Sequence, residues 1–201
     1  MKLILTRHAE TIEYVNGIVC GQLPGTLSKL GKKQASLLAQ RLKDIKIDYI
    51  YSSDLARAVD TTKEVLKFHT ESTVFYVPEL REKNQGVFEG RKDAEVSTES
   101  WRNKVKKDSL NAAPKNGESK MQVYKRVEKF LKKILKKHKS ETILIVAHGG
   151  VLRSLFCLIT NKPPEEMPKL KRFLNTSVTV VEIKEYQTPK IHIINCVEHT
   201  V

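Results

Sequence analysis

Apolar residues follow two rhythms along this chain. Lys2 to Thr6 and Thr142 to Ala147 hold continuous apolar runs, the pattern of strands covered on both faces of a sheet. Other stretches repeat at helical spacing. Ala35, Leu38, Leu42 and Ile45 fall on one face of a helix opened by Ser28 and running to about Asp44. Leu55, Ala58, Val59, Thr62, Val65 and Leu66 form the buried side of a second helix, placed directly after the short strand Asp48-Tyr49-Ile50-Tyr51. Val74 to Val77 predicts a third strand, ended by Pro78. Ser119 and Gln122 form a capping box ahead of Val123, Val127, Phe130, Leu131, Ile134 and Leu135, the clearest helix in the chain. An apolar helix from Val151 to Thr160 ends before Pro163 and Pro164. Ser177 to Ile183 and Lys190 to Ile194 alternate as strands toward the sheet edge, the last one antiparallel.

Two segments keep neither rhythm. About twenty residues after Thr6 contain Gly17, Gly21, Pro24 and Gly25 and predict a long functional loop. Residues 83–117 are polar, with weak helical signals around Glu95 to Lys107, and are the candidate lid or specificity segment; Trp101 serves there as a packing anchor. Strands and helices alternate elsewhere. The expected fold is therefore α/β, a three-layer sandwich with a mostly parallel central sheet, an antiparallel edge strand and helices on both faces. At 201 residues the chain suits a single domain spanning 1–201.

Composition narrows the function. There is no apolar run long enough for a membrane helix, and the apolar stretch before Thr6 is too short for a signal-peptide core, so the expectation is a cytoplasmic protein without a membrane partner. Three widely spaced cysteines, Cys20, Cys157 and Cys196, argue against a disulfide framework or a multi-cysteine zinc site. The formal charge of +13 invites a nucleic-acid reading. Between Lys83 and Lys139, however, 17 basic residues stand against 7 acidic ones, a surplus of +10 that falls largely on the lysine-rich face of one helix. No helix-turn-helix, zinc-finger or RNA-binding signature accompanies it. His8-Ala9-Glu10 matches a deaminase triplet, but no Pro-Cys-x-x-Cys partner follows.

Chemistry gathers at one structural address. Arg7 and His8 follow the first strand, Arg57 opens the helix after the second, and His148 follows the long apolar strand. Parallel strands bring such ends to one edge of a sheet, where an open α/β fold binds its ligand. Two arginines fork onto phosphate oxygens, two histidines offer a nucleophile and a stabilising donor, and the amides of Gly149 and Gly150 at a helix start add to an anion site.

Arg7-His8-Ala9-Glu10-Thr11 closely resembles the Arg-His-Gly-Glu-Thr signature of the histidine phosphatase superfamily, the phosphoglycerate mutase-like fold. Three more motifs resemble that family in order: Ser53 to Ala58, Leu80-Arg81-Glu82 leading to Gly86-Val87-Phe88-Glu89-Gly90, and Ala147 to Arg153. The block from Gly21 to Gly31 is also similar, and the likeness runs from Lys2 to about Ile183. It implies that His8 becomes phosphohistidine, that Arg7, Arg57 and a protonated His148 bind and stabilise the phosphoryl group, that Glu82 is the proton donor, and that neither metal nor cofactor takes part. Asn16, Gln22 and Ser53 are candidate further phosphate donors. Ala9 and Tyr14 depart from the family pattern, at positions where glycine and asparagine are usual. Gln85 to Gly90 after Glu82 resembles the small phosphatase branch more than the mutases, and Pro114 to Ser119 with Arg126 resembles broad-specificity and alpha-ribazole phosphatases. The implied activity is metal-independent hydrolysis of a small phosphorylated metabolite. Phosphoglycerate mutase, alpha-ribazole phosphatase and a basic nucleic-acid-binding protein are the alternatives.

Overall fold

The computed structural model describes residues 1–185 and 187–200. Six strands form one sheet: β1 (Lys2–Arg7), β2 (Tyr49–Ser52), β3 (Thr73–Tyr76), β4 (Thr142–Ala147), β5 (Val178–Glu182) and β6 (Lys190–Cys196), in the order β3-β2-β4-β1-β5-β6. The first four run parallel. β5 pairs antiparallel with β1, and β6 antiparallel with β5. It is thus β5 that is reversed against the parallel strands, while β6 at the edge turns back to their direction.

Both central runs are apolar throughout because both faces are covered. Leu3, Leu5, Ile143 and Ile145 point to one side, where they meet Val123, Val127 and Phe130 of α6 (Lys120–Lys137) and Leu152 and Leu155 of α7 (Gly149–Ile159). Ile4, Leu144 and Val146 point to the other, against Leu38 and Leu42 of α2 (Lys29–Leu42) and Ala58 and Val65 of α3 (Ala56–Leu66). Each fully buried Leu or Ile contributes about 1.5–3 kcal/mol relative to exposure. A break in alternation along β1 would therefore cost on both faces at once.

Helix starts follow their caps. Ser28 Oγ accepts the Gly31 amide at 2.9 Å, and the Ser119–Gln122 capping box closes in both directions at 3.2 and 2.7 Å. The long loop after β1 contains one short helix, α1 (Ile12–Val15), capped by Thr11. Residues 83–117 hold α4 (Asp93–Val96) and α5 (Glu99–Lys107), with Trp101 packed edge-on against Phe88. This segment is tied to the first loop by backbone bonds: Val19 N–H to Arg91 O at 2.9 Å, Gly90 N–H to Val19 O at 2.9 Å and Asp93 N–H to Gly17 O at 2.8 Å. Among the described residues no helix is long and apolar enough to cross a membrane.

Register sets the site. Thr6 of β1 and Ser52 of β2 both stand opposite Val146 of β4. The residues that follow each strand, His8, Ser53 and His148, therefore emerge along one edge.

Candidate active site

The backbone around His8 is held from three sides. His8 N–H donates to Ala147 O at 3.0 Å, the Asn175 side-chain amide donates to His8 O at 2.8 Å, and Ala9 N–H donates to Thr61 Oγ1 at 3.0 Å. Ala9 is fully buried against Leu27 and Ala35 and does not adopt positive φ, so its methyl fits this backbone without strain. His8 Nδ1 lies 2.7 Å from Ala9 O. A carbonyl oxygen only accepts, which assigns the proton to Nδ1 and leaves the lone pair on Nε2. That nitrogen receives Arg57 Nε–H at 3.3 Å, and His8 borders a cavity of about 390 Å³ lined by Arg7, Thr11, Tyr14, Cys20 and Glu82, among others.

His148 is fully buried as the residue before α7, with its ring centroid 5.0 Å from that of His8. Its Nε2 lies 2.8 Å from Ser53 Oγ, and its Nδ1 is buried without a partner. Burial, then the charges of neighbouring arginines, holds both imidazoles well below the ordinary histidine range. Desolvation therefore opposes the protonated form expected of His148.

The two arginines divide the work. Arg57 is 2 % exposed, and its Nη groups point into the first loop, donating to the carbonyls of Gly21 at 2.8 Å and Pro24 at 3.2 Å and also to Leu23 O. It braces the loop against α3 and offers His8 chiefly its Nε. Arg7 spends one bond, from Nη1 to Phe173 O at 3.1 Å, and its Nε is buried without a partner. Burial, followed by the nearby Arg172 charge, lowers its pKa to about 10. The pocket thus holds one arginine with donors to spare beside two imidazoles whose charged forms burial disfavours.

Glu82 stands at the start of α7. Its Oε1 accepts Lys83 N–H at 2.8 Å and its Oε2 accepts Gly150 N–H at 3.3 Å. A methyl group on Gly150 would sit 2.6 Å from Glu82 Oε1, so only glycine lets the carboxylate come so close. The Gly150 amide, expected in an anion site, is used by the acid instead. Arg126 fixes the Glu82 segment from behind, donating to Glu79 O at 2.7 Å and Glu82 O at 3.0 Å while forking onto Glu118 at 2.9 and 3.0 Å.

Arg7, His8, Arg57 and Glu82 all border one cavity, with His148 beside His8 and Gly149 across from Arg7 in the adjoining one. Three expected phosphate donors lie elsewhere: Ser53 is wholly buried against His148. Asn16 caps the end of α1 and is exposed, because the tight turn completed by Gly17 swings it outward. Gln22 directs its side-chain amide to Glu82 O at 3.1 Å, bracing the acid's backbone rather than facing the phosphate position. Tyr14 remains at the pocket rim, 45 % exposed, with Arg172 stacked over its ring at 4.8 Å.

The sequence reading missed Arg172, Lys83, Lys120 and Arg153, which line the second cavity. Arg153 had a signal, since it lies three residues after Gly150 and so shares its helix face. Arg172 had none, standing beside Lys171 like an ordinary surface residue.

A model of the histidine phosphatase superfamily (branch 1) matches residues 3–196. The chain belongs to the histidine phosphatase superfamily. A metal-independent phosphoserine phosphatase of Arabidopsis thaliana is 35% identical over 188 residues, 92% of this chain and 77% of that protein. Among solved structures, an alpha-ribazole phosphatase from Shigella flexneri matches with a TM-score of 0.89 at 30% identity, over 98% of this chain and 97% of that one. A phosphoserine phosphatase of Entamoeba histolytica in complex with 3-phosphoglyceric acid matches with a TM-score of 0.85 at 25% identity, over 100% and 99% of the two chains. As a member of this superfamily with phosphatase relatives, the protein is a hydrolase acting on phosphomonoesters.

Proposed function

We propose that this histidine phosphatase superfamily member dephosphorylates small phosphorylated metabolites without a metal, with His8 as the nucleophile. The observation that carries the reading is the 2.7 Å bond from His8 Nδ1 to Ala9 O, which turns the unprotonated Nε2 toward the cavity bordered by Arg7 and Glu82. In the first step Nε2 attacks phosphorus in line, the N–P bond forms, and the P–O bond to the leaving group breaks. Glu82, protonated at that moment, gives its proton to the departing oxygen. In the second step Glu82 takes a proton from water, the water oxygen bonds to phosphorus, the N–P bond breaks and His8 returns to its neutral form. Arg7 and the partnerless Nδ1 of His148 stabilise the equatorial oxygens. Arg57 Nε–H is set to move from His8 Nε2 to phosphate when substrate arrives. Ser53 acts through His148, and Gln22 through the backbone of Glu82. Free cysteines throughout suit a reducing compartment such as the cytoplasm.

The test is phosphate release from p-nitrophenyl phosphate in EDTA, with and without His8→Ala. Activity should survive the chelator and vanish in the variant, and quenching in base during turnover should trap acid-labile phosphate on the wild-type protein alone. Full activity of His8→Ala overturns the nucleophile. Interconversion of 2- and 3-phosphoglycerate faster than phosphate release would move the protein to the mutases. Salt-dependent oligonucleotide binding without phosphatase activity would favour the nucleic-acid reading.

A further inference from the structure

A second cavity, also about 390 Å³, opens beside the catalytic one, and the two share Arg7, Glu82, Gln85 and Arg172 as a common wall. Beyond that wall it is lined by Lys83, Lys120 and Arg153, with Val123, Met167 and Ser154 completing the surface. Its cations come from five separate parts of the chain: the end of β1 carrying Arg7, the residue after Glu82, the first residue of α6, the second turn of α7, and the strand-approach segment carrying Arg172.

Charges of one sign do not gather in a partly enclosed space without cost. Among the described residues neither Lys120 nor Arg153 forms an ion pair, and Arg153 Nε is buried with no hydrogen-bond partner. Glu82 is the only carboxylate on the lining, and its two oxygens already accept backbone amides of Lys83 and Gly150. Burial lowers the pKa of Lys83, Lys120 and Arg153, and mutual repulsion adds to it: Arg153 acts on Lys120, and Arg172 on Arg153. Elsewhere Arg126 pairs closely with Glu118, and Arg81 with Asp54. An unneutralised cluster beside a reaction centre is the arrangement of a site whose missing charge arrives with the ligand.

The geometry points to the leaving group: Lys120 and Arg153 bind a second anionic group, a carboxylate or a further phosphate, carried by the alcohol that is released. This inference rests on the reading of His8 and Glu82 as the catalytic pair. The position fits, because Glu82 borders both cavities and the oxygen it protonates is the one joining phosphorus to the leaving group. A substrate lying across Glu82 places phosphate against Arg7 and His8 and its remaining anion among the three cations beyond. Val123 and Met167 supply an apolar wall for the carbon skeleton between them. Lys120 and Arg153 are specificity residues, separate from the chemical step.

Matched substrates isolate the effect. 3-Phosphoglycerate and glycerol 3-phosphate differ in a carboxylate against a neutral hydroxymethyl group, and a sugar bisphosphate tests a second phosphate. The wild-type protein should prefer one of the anionic substrates by at least about tenfold in kcat/KM. In Arg153→Met and Lys120→Met that preference should collapse toward one, through KM rather than kcat, as loss of uniform binding requires. Lys133→Met, on the solvent face of α6, should keep the preference, which separates local recognition from the general field of the +13 charge. Circular dichroism and thermal unfolding confirm that each variant is folded. Equal wild-type rates for glycerol 3-phosphate and both anionic substrates, or a preference untouched in both variants, overturns the inference while leaving His8 in place. Absence of hydrolysis of every substrate overturns the catalytic reading itself.

Discussion

Ser53 Oγ lies 2.8 Å from His148 Nε2, and both residues are wholly buried. The hydroxyl also accepts the Leu55 amide at 3.3 Å; where its own proton goes to Nε2, the ring carries its hydrogen on the partnerless Nδ1. Removal of that hydroxyl frees the ring to take the other tautomer. Ser53→Ala should lower kcat/KM about tenfold, the size of one lost buried hydrogen bond. Steady-state kinetics beside circular dichroism checks this, and unchanged kinetics would show that packing alone orients the ring.

Gly150→Ala tests how closely Glu82 must stand to the start of α7. The new methyl group would meet Glu82 Oε1 at 2.6 Å, so the carboxylate must retreat and lose the Gly150 amide. Helix propensity favours alanine, so stability should change little. Turnover of an alkyl phosphate should fall by about 100-fold, the scale of general acid catalysis. p-Nitrophenyl phosphate should suffer much less, since nitrophenolate leaves without a proton. An equal loss on both substrates would remove Glu82 from the acid role.

Burial makes a definite statement about pH. His8 and His148 are both held well below the ordinary value of 6.5, by desolvation first and arginine charge second. Imidazole resonances of these two residues should therefore show no protonation step between about pH 6 and 8, a window set by the unperturbed value. A step near 6.5 for either would contradict the desolvated pocket. Vanadate, an anion in the phosphate position, should raise the His148 value by favouring its charged form.

The same shifts act on stability. Above pH 6.5 the native and unfolded chains both hold these histidines neutral. As pH falls below it, the unfolded chain takes up protons that the native chain refuses, so stability is lost on acidification. His199, lowered to about 4 by burial and then by Arg41, adds to the trend. Urea midpoints should be lower at pH 5 than at pH 7.5, and His148→Asn should flatten that slope.

Arg126 holds two carbonyls and a carboxylate at once, with its side chain only 19% exposed. Arg126→Met should cost ~2 kcal/mol of stability by leaving those acceptors unpaired. It should also lower kcat, because the Glu82 backbone loses its brace. Chemical denaturation and kinetics measured together distinguish this from a purely structural residue, which would move the midpoint alone.

Much of the site could be read from local pattern. Continuous apolar runs placed β1 and β4 in the sheet centre, and the polar residues after them, Arg7-His8 and His148, had to emerge at strand ends. Side chains that reach across the fold were less legible. Gln22 and Asn16 sit in the same glycine-rich loop as real pocket residues, yet the turn at Gly17 sends one outward and Glu82 O captures the other. Their composition carries no trace of that difference.

What the sequence determined by itself was the α/β order, the shared strand edge and the identities of the chemical groups, since strand periodicity and motif order are properties of neighbouring residues. Tertiary structure alone decided how those groups are used. It turned Arg57 toward the carbonyls of Gly21 and Pro24, left Arg7 with a free donor, and buried His148 where its charged form is disfavoured. It also gathered Lys83, Lys120, Arg153 and Arg172 around one cavity. Burial and convergence depend on segments far apart in the chain, and the free energy of a charge depends on what surrounds it in space.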